Sequence, residues 1–323
     1  MAWYKHPTNQ VINTNNSGTG LGQVYTAWQT WETDPTVHWQ IASYNSVAPA
    51  YLVLKRKNGS AGRLMFVSGS SIASNYLAPN ETAVTTYLYM GYDPGATTDA
   101  PAYANYSVNG SALFASNQFS RFRSFGAYWG SYSFRLYVNP EEDQLCMFGS
   151  GGSAQGMMVG NLFKNDAGSV VPGIITFHAA SSPNPMTLSN VAYTSSINNN
   201  LAGNCVSLVW DATANEGTTS VWHCLSQYNM AGQAPGGYTA TYNHYARPNG
   251  VHKFVPIIMS VNTNPTARPS SVVYSTRNVA YGPPMVVDHV WVNNLGATKG
   301  YYLGQSATPS TDTCMISLVS DTF

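Results

Sequence analysis

Short apolar runs, each closed within a few residues by Gly, Pro, Asn or Asp, recur from Tyr51 onward, and this punctuation limits the fold more than any other feature. A run of about four to eight residues has the length of a strand and is too short for most helices. Tyr51-Leu52-Val53-Leu54 and Arg63-Leu64-Met65-Phe66-Val67 flank Asn58-Gly59, a step that favours tight reversal, so a hairpin is expected there. Further strands are expected at residues 85–90, 131–138, 144–148, 174–178, 205–210, 220–225, 254–261, 286–292 and 314–319. One segment departs from the pattern. Val24, Ala27, Trp28 and Trp31 fall at helical spacing before Asp34-Pro35, which predicts one early amphipathic helix. The expected class is mainly β, an antiparallel sandwich or barrel-like set of sheets with long loops and at most a few short helices.

A chain of 323 residues has room for one large or two ordinary domains. Residues 10–22 are dominated by Asn, Thr, Ser and Gly, so 1–22 is expected to be an extended arm ordered by a neighbouring molecule. A β-rich domain carrying the helix follows over 23–170, and a second over 171–323. The division rests on Asn165-Asp166-Ala167-Gly168 and Val170-Val171-Pro172-Gly173, turn-like stretches that a single domain would also accommodate.

Charge narrows the partners. Charged residues supply 9% of the chain, 14 basic against 14 acidic, while hydrophobic residues supply 44%. Soluble domains carry about 25% charged residues, so this surface must be polar without charge. Neither nucleic acid nor an anionic membrane is expected as a partner, since no net field draws the chain to a polyanion. Weak self-repulsion suits a subunit packed among other proteins, and a homo-oligomer is expected. Met1-Ala2-Trp3-Tyr4-Lys5-His6-Pro7 lacks the pattern of a secretion signal, and no apolar run reaches about 18 residues. Synthesis in the cytoplasm is the expectation. Cys146, Cys205, Cys224 and Cys314 are widely spaced and expected to be reduced, with Cys205 and Cys224 facing each other across a hairpin.

The motifs that carry chemistry each meet a plainer reading. Gly149-Ser150-Gly151-Gly152-Ser153-Ala154 fits a relaxed dinucleotide pattern, but such a loop must open a helix in a parallel βαβ unit, and its neighbours read as strands and turns. Ser153 lacks the second glycine of a nucleophile elbow, because Gln155 stands there. Asp288 and His289 are adjacent, so on a strand they point to opposite faces. His178, His223, His244, His252 and His289 show no metal-ligand spacing, and Glu141-Glu142-Asp143 after Asn139-Pro140 reads as a solvated turn. No catalytic, cofactor-binding or metal-ligating residue is therefore expected, and the chain is read as non-enzymatic.

Residues 119–135 interleave cations with aromatics. Arg121, Phe122, Arg123, Tyr128 and Trp129 are the candidate interface residues, because interfaces enrich arginine and aromatic side chains. Stacking on bases or sugars is the competing use of such a stretch.

Several of these passages together resemble a family of tailed-phage virion proteins. The resemblance is carried by the Trp-containing segment ending at His38-Trp39, the hairpin around Asn58-Gly59, Gly91-Tyr92-Asp93-Pro94-Gly95, and the passage from Tyr128-Trp129 to Tyr137-Val138. Toward the C-terminus it continues in Phe254-Val255-Pro256-Ile257-Ile258, Val272-Val273-Tyr274, Tyr301-Tyr302-Leu303-Gly304 and Thr313-Cys314-Met315-Ile316-Ser317-Leu318. Residues 181–250 have no counterpart in it. The resemblance implies a structural component of the neck, tail or baseplate, located in the virion, working as a ring subunit with copies of itself and other virion proteins. A host-surface adhesin binding glycans through loops such as residues 236–245 is the alternative, and a glycan hydrolase comes third.

Overall fold

The computed structural model describes residues 3–13, 19–47, 50–70, 86–99, 122–125, 131–150, 155–178, 205–211, 221–224, 255–256, 258–261, 271–276, 278–282, 290–292, 300–303 and 315–320. In chain order, the first part comprises β1 (Tyr4–Lys5), β2 (Gln10–Asn13), α1 (Thr19–Trp31), β3 (Trp39–Asn45), β4 (Tyr51–Arg56), β5 (Arg63–Ser70), β6 (Thr86–Asp93) and β7 (Phe122–Phe125). The middle holds β8 (Ser131–Asn139), β9 (Gln144–Ser150), β10 (Gln155–Asn165), β11 (Val170–His178), β12 (Cys205–Asp211) and β13 (Val221–Cys224). The last part holds β14 (Val255–Pro256), β15 (Ile258–Val261), β16 (Ser271–Ser275), β17 (Val279–Gly282), β18 (Val290–Val292), β19 (Gly300–Leu303) and β20 (Met315–Ser320).

The protein is mainly β and its sheets are antiparallel. Strands β3 to β7 form a five-stranded meander, and β8 to β13 form the spine of a ten-stranded sheet to which β1, β2, β15 and β16 add. A third sheet runs β14-β17-β20-β19-β18. Consecutive strands lie side by side, with short turns joining β4 to β5, β8 to β9 and β10 to β11 and longer segments joining β6 to β7 and β11 to β12. The expected hairpin is present: Leu54 lies opposite Leu64 and Lys55 opposite Arg63, and Gly59 takes φ 75° in the reversal.

Alternation along the strands builds the core. Leu52 and Leu54 of β4, Leu64 and Phe66 of β5, and Tyr92 of β6 point one way. They meet Phe134, Leu136 and Val138 of β8, Leu145 and Met147 of β9, and Met157 and Val159 of β10. Helix α1 lays Val24, Ala27, Trp28 and Trp31, the stripe that the sequence spacing predicts, into the same core, and adds Leu21 from the segment expected to be an arm. Fully burying a large apolar side chain contributes roughly 1.5–3 kcal/mol, so this stripe holds the helix far more firmly than its two glycines weaken it. The helix starts at Thr19, ahead of residue 23 where it was expected.

Three expectations are corrected. The arm expected over 1–22 is, where described, part of the fold. Trp3 is buried, β1 and β2 pair with β8 of the same chain, and Thr19 to Gly22 lie in α1, so residues 10–13 are a strand of the chain's own sheet. The division at 170/171 falls inside the β10–β11 hairpin, where Lys164 pairs with Val170 and Phe163 with Val171. A ladder crosses the boundary, because the turn residues there reverse a strand and do not link two bodies. Cys205 and Cys224 do lie on neighbouring antiparallel strands, but Cys224 stands opposite Leu208, and Cys205 lies opposite Phe177 of β11. The offset of three residues corresponds to about 10 Å along a strand, beyond disulfide reach.

Candidate functional site

The candidate site is a cleft at one end of the core, and alternation explains why a charge lies there. Arg56 follows Leu52 and Leu54 at period two, so it sits on the core side of β4 just where the strand gives way to the Lys57-Asn58-Gly59 turn. Its side chain is buried, with the guanidinium carbon 4.9 Å from the centre of the Trp39 ring. Across the opening, the turn between β8 and β9 presents Asp143. The two form a fork: Nε donates to Oδ1 at 2.7 Å and Nη2 to Oδ2 at 2.5 Å. Nη2 also donates to the Tyr92 hydroxyl at 2.8 Å, and Nη1 to the Ala61 carbonyl. The ion pair therefore joins the meander to the large sheet at the mouth of their shared core.

Asp143 is held in place by its backbone as well. Its φ is 52°, a left-handed value that a residue with a side chain adopts at a cost. Its carbonyl accepts from the Asn161 N–H at 3.2 Å, beside Gly160 at φ 112°. A Cβ at Gly160 would collide with that same carbonyl oxygen, so only glycine lets the turn close on β10. His38 completes the group with Nε2 3.3 Å from Asp143 Oδ1, within ion-pair range but without hydrogen-bond alignment. Burial alone would raise the Asp143 carboxyl; contact with His38 and Arg56 outweighs it and holds the group below its ordinary value. Arg56, opposed by its own burial, is raised through Asp143 and Tyr92.

Beyond these groups the cleft is lined by Pro35, Lys57, Asn58, Ser60, Ala61, Pro94, Pro140, Asn161 and Pro172, and encloses about 560 Å³. A second polar node lies behind it. Gln144 Nε2 donates to the Asn161 carbonyl at 2.7 Å and to Thr276 Oγ1 at 2.8 Å, and the Trp3 indole donates to the Asn278 carbonyl at 2.9 Å. These bonds satisfy buried groups where β10 exchanges one neighbour, β9, for another, β16.

The expected turn at Glu141-Glu142-Asp143 is there, but Asp143 is not solvated as the sequence reading had it; the inward-facing Arg56 draws it over the cleft. Neither residue stood out among the expected functional positions. The available signal was parity, since Arg56 shares the register of Leu52 and Leu54. Of the candidate interface residues, Phe122 and Arg123 lie in β7, opposite Met90 and Tyr89 of β6, while Arg121, Tyr128 and Trp129 lie outside the described residues. Gly149 and Ser150 end β9, and Gln155 opens β10 antiparallel to it, so the Gly-rich stretch joins a hairpin and does not precede a helix. Ser153, Asp288, His289, His244 and His252 lie outside the described residues. Burial pushes the Cys146 thiol far up, which leaves it without thiolate at neutral pH. Among the described residues no three His, Cys, Asp or Glu side chains gather to hold a metal ion, and no helix is long and apolar enough to cross a membrane.

Comparison with family models, curated proteins and solved structures returns no match to this chain.

Proposed function

We propose that the chain is a non-enzymatic structural component of a tailed-phage virion, a ring subunit of the neck, tail or baseplate that assembles with itself and with other virion proteins. The observation that carries assembly is β2. Its sequence, Gln10-Val11-Ile12-Asn13, holds no charge and no proline, and Val11 is 66% exposed. It pairs with β8 along one edge and has no strand on the other among the described residues. Isolated proteins usually protect such edges with charge, proline or a covering loop, whereas a subunit can use one as a joint. The low charge of the whole chain supports the same use, and the resemblance to phage virion proteins supplies the setting.

The cleft is compatible with a structural role because its acid and base serve each other. Both Asp143 oxygens accept from Arg56, an arrangement that ties two sheets together and leaves the carboxylate poorly placed to exchange a proton with a substrate. Sedimentation of the purified chain tests the proposal. A closed oligomer at micromolar concentration that Val11→Lys converts to monomer is expected. A folded monomer at every concentration, or turnover of a glycan or nucleotide substrate by the pure chain, would contradict it.

A further inference from the structure

The cleft has a donor surplus that the Arg56–Asp143 pair does not consume. Asp143 accepts through both oxygens, Asn58 Oδ1 accepts from the Ser60 N–H at 3.0 Å and Ser60 Oγ at 2.8 Å, and the Ala61 carbonyl accepts from Arg56. These acceptors are therefore engaged, whereas Asn161 Oδ1 and the His38 ring nitrogens carry no hydrogen bond among the described residues. On the donor side, Lys57 Nζ spends one hydrogen on the Asp34 carbonyl at 2.9 Å and keeps two. The Asn58 side-chain N–H₂ and the whole Asn161 side-chain amide have no partner among the described residues. With Arg56 balanced by Asp143, Lys57 leaves the lining one positive charge in excess.

A volume of about 560 Å³ lies in the range of small-molecule sites and exceeds what a lone carboxylate or phosphate would fill. Four prolines, Pro35, Pro94, Pro140 and Pro172, add flat apolar surface among the polar groups. The complementary ligand is anionic, rich in acceptors, and carries C–H faces between its polar groups. We infer that the cleft is a binding site for an acidic saccharide, with the sugar carboxylate at Lys57 and the ring hydroxyls on the amides of Asn58 and Asn161. This goes beyond the structural role and does not depend on it, since it follows from the lining alone.

Calorimetric titration of the full chain with a glucuronate-containing disaccharide, a neutral disaccharide of equal size, acetate and inorganic phosphate tests the inference. The acidic disaccharide is expected to bind at least about tenfold more tightly than the other three, a difference of about 1.4 kcal/mol. Lys57→Gln and Asn161→Ala should each weaken it several-fold with the unfolding midpoint kept, while Lys164→Gln, on an exposed position of β10 outside the lining, should leave it unchanged. No binding at millimolar ligand, equal affinity for acidic and neutral sugars, or undiminished binding in both cleft variants would overturn the inference. Acetate or phosphate matching the disaccharide would also overturn it, by showing a simple anion site.

Discussion

Arg56 and Asp143 carry opposite charges into a region that water reaches poorly, so removing one partner strands the other. Breaking such a pair costs about 3–5 kcal/mol when fully buried, and Asp143 keeps 25% side-chain exposure, which lowers the expectation for Arg56→Ala to roughly 2–4 kcal/mol. Urea unfolding at pH 7 measures it. Asp143→Asn should do less at low pH than at neutral pH. The native carboxyl is held below its ordinary value of 3.8, so its contribution is fully present above that value and is lost as pH falls through the lowered one. The gap in stability between the native chain and the Asn variant should accordingly narrow below about pH 4. Gly160→Ala joins an unfavourable φ to a backbone collision and should cost roughly 2–4 kcal/mol, read as a lowered urea midpoint. Much of this site was hidden in the sequence for a physical reason. Lys55-Arg56-Lys57-Asn58-Gly59 has the composition of a solvated turn, and only strand parity separates Arg56 from its neighbours. Asp143 stood out only as part of an acidic turn and gave no sign of its partner, which is 87 residues away in the chain.

At the scale of elements, local chemistry was readable and pairing distance set the limit. The Val24, Ala27, Trp28 and Trp31 stripe predicted α1, and Asn58-Gly59 predicted the β4–β5 reversal, since each signal lies within the element it specifies. The start of α1 was missed because Thr19, Gly20 and Gly22 are poor helix formers that packing overrides. Gly22 offers a test. A Cβ there would meet the Tyr44 hydroxyl at 3.5 Å, ordinary contact, so Gly22→Ala should raise stability by about 0.5–1 kcal/mol, measurable as a higher thermal midpoint. The cysteine register shows the opposite case. The β12–β13 neighbours were legible, yet which residues face each other depends on where the ladder closes, and Asp211 opposite Val221 sets Cys224 against Leu208. Alkylation without reductant should therefore label Cys205 and Cys224 separately, with no crosslinked peptide between them.

For the whole molecule, the mainly β class followed from punctuation that any long helix would have violated, while the division into two β-rich parts did not survive the continuous β8-to-β13 spine. Composition cannot see a ladder that crosses a turn. Low charge and an uncharged edge at β2 both favour a subunit whose surface is covered by others. An electron cryomicroscopy reconstruction of the intact particle tests that account most directly. It predicts this chain repeated about a rotational axis in the neck, tail or baseplate, with β2 inside a contact burying more than about 1,000 Å². Particles that are complete without the chain, or a copy that touches its neighbours only through small contacts with β2 open to solvent, would contradict it.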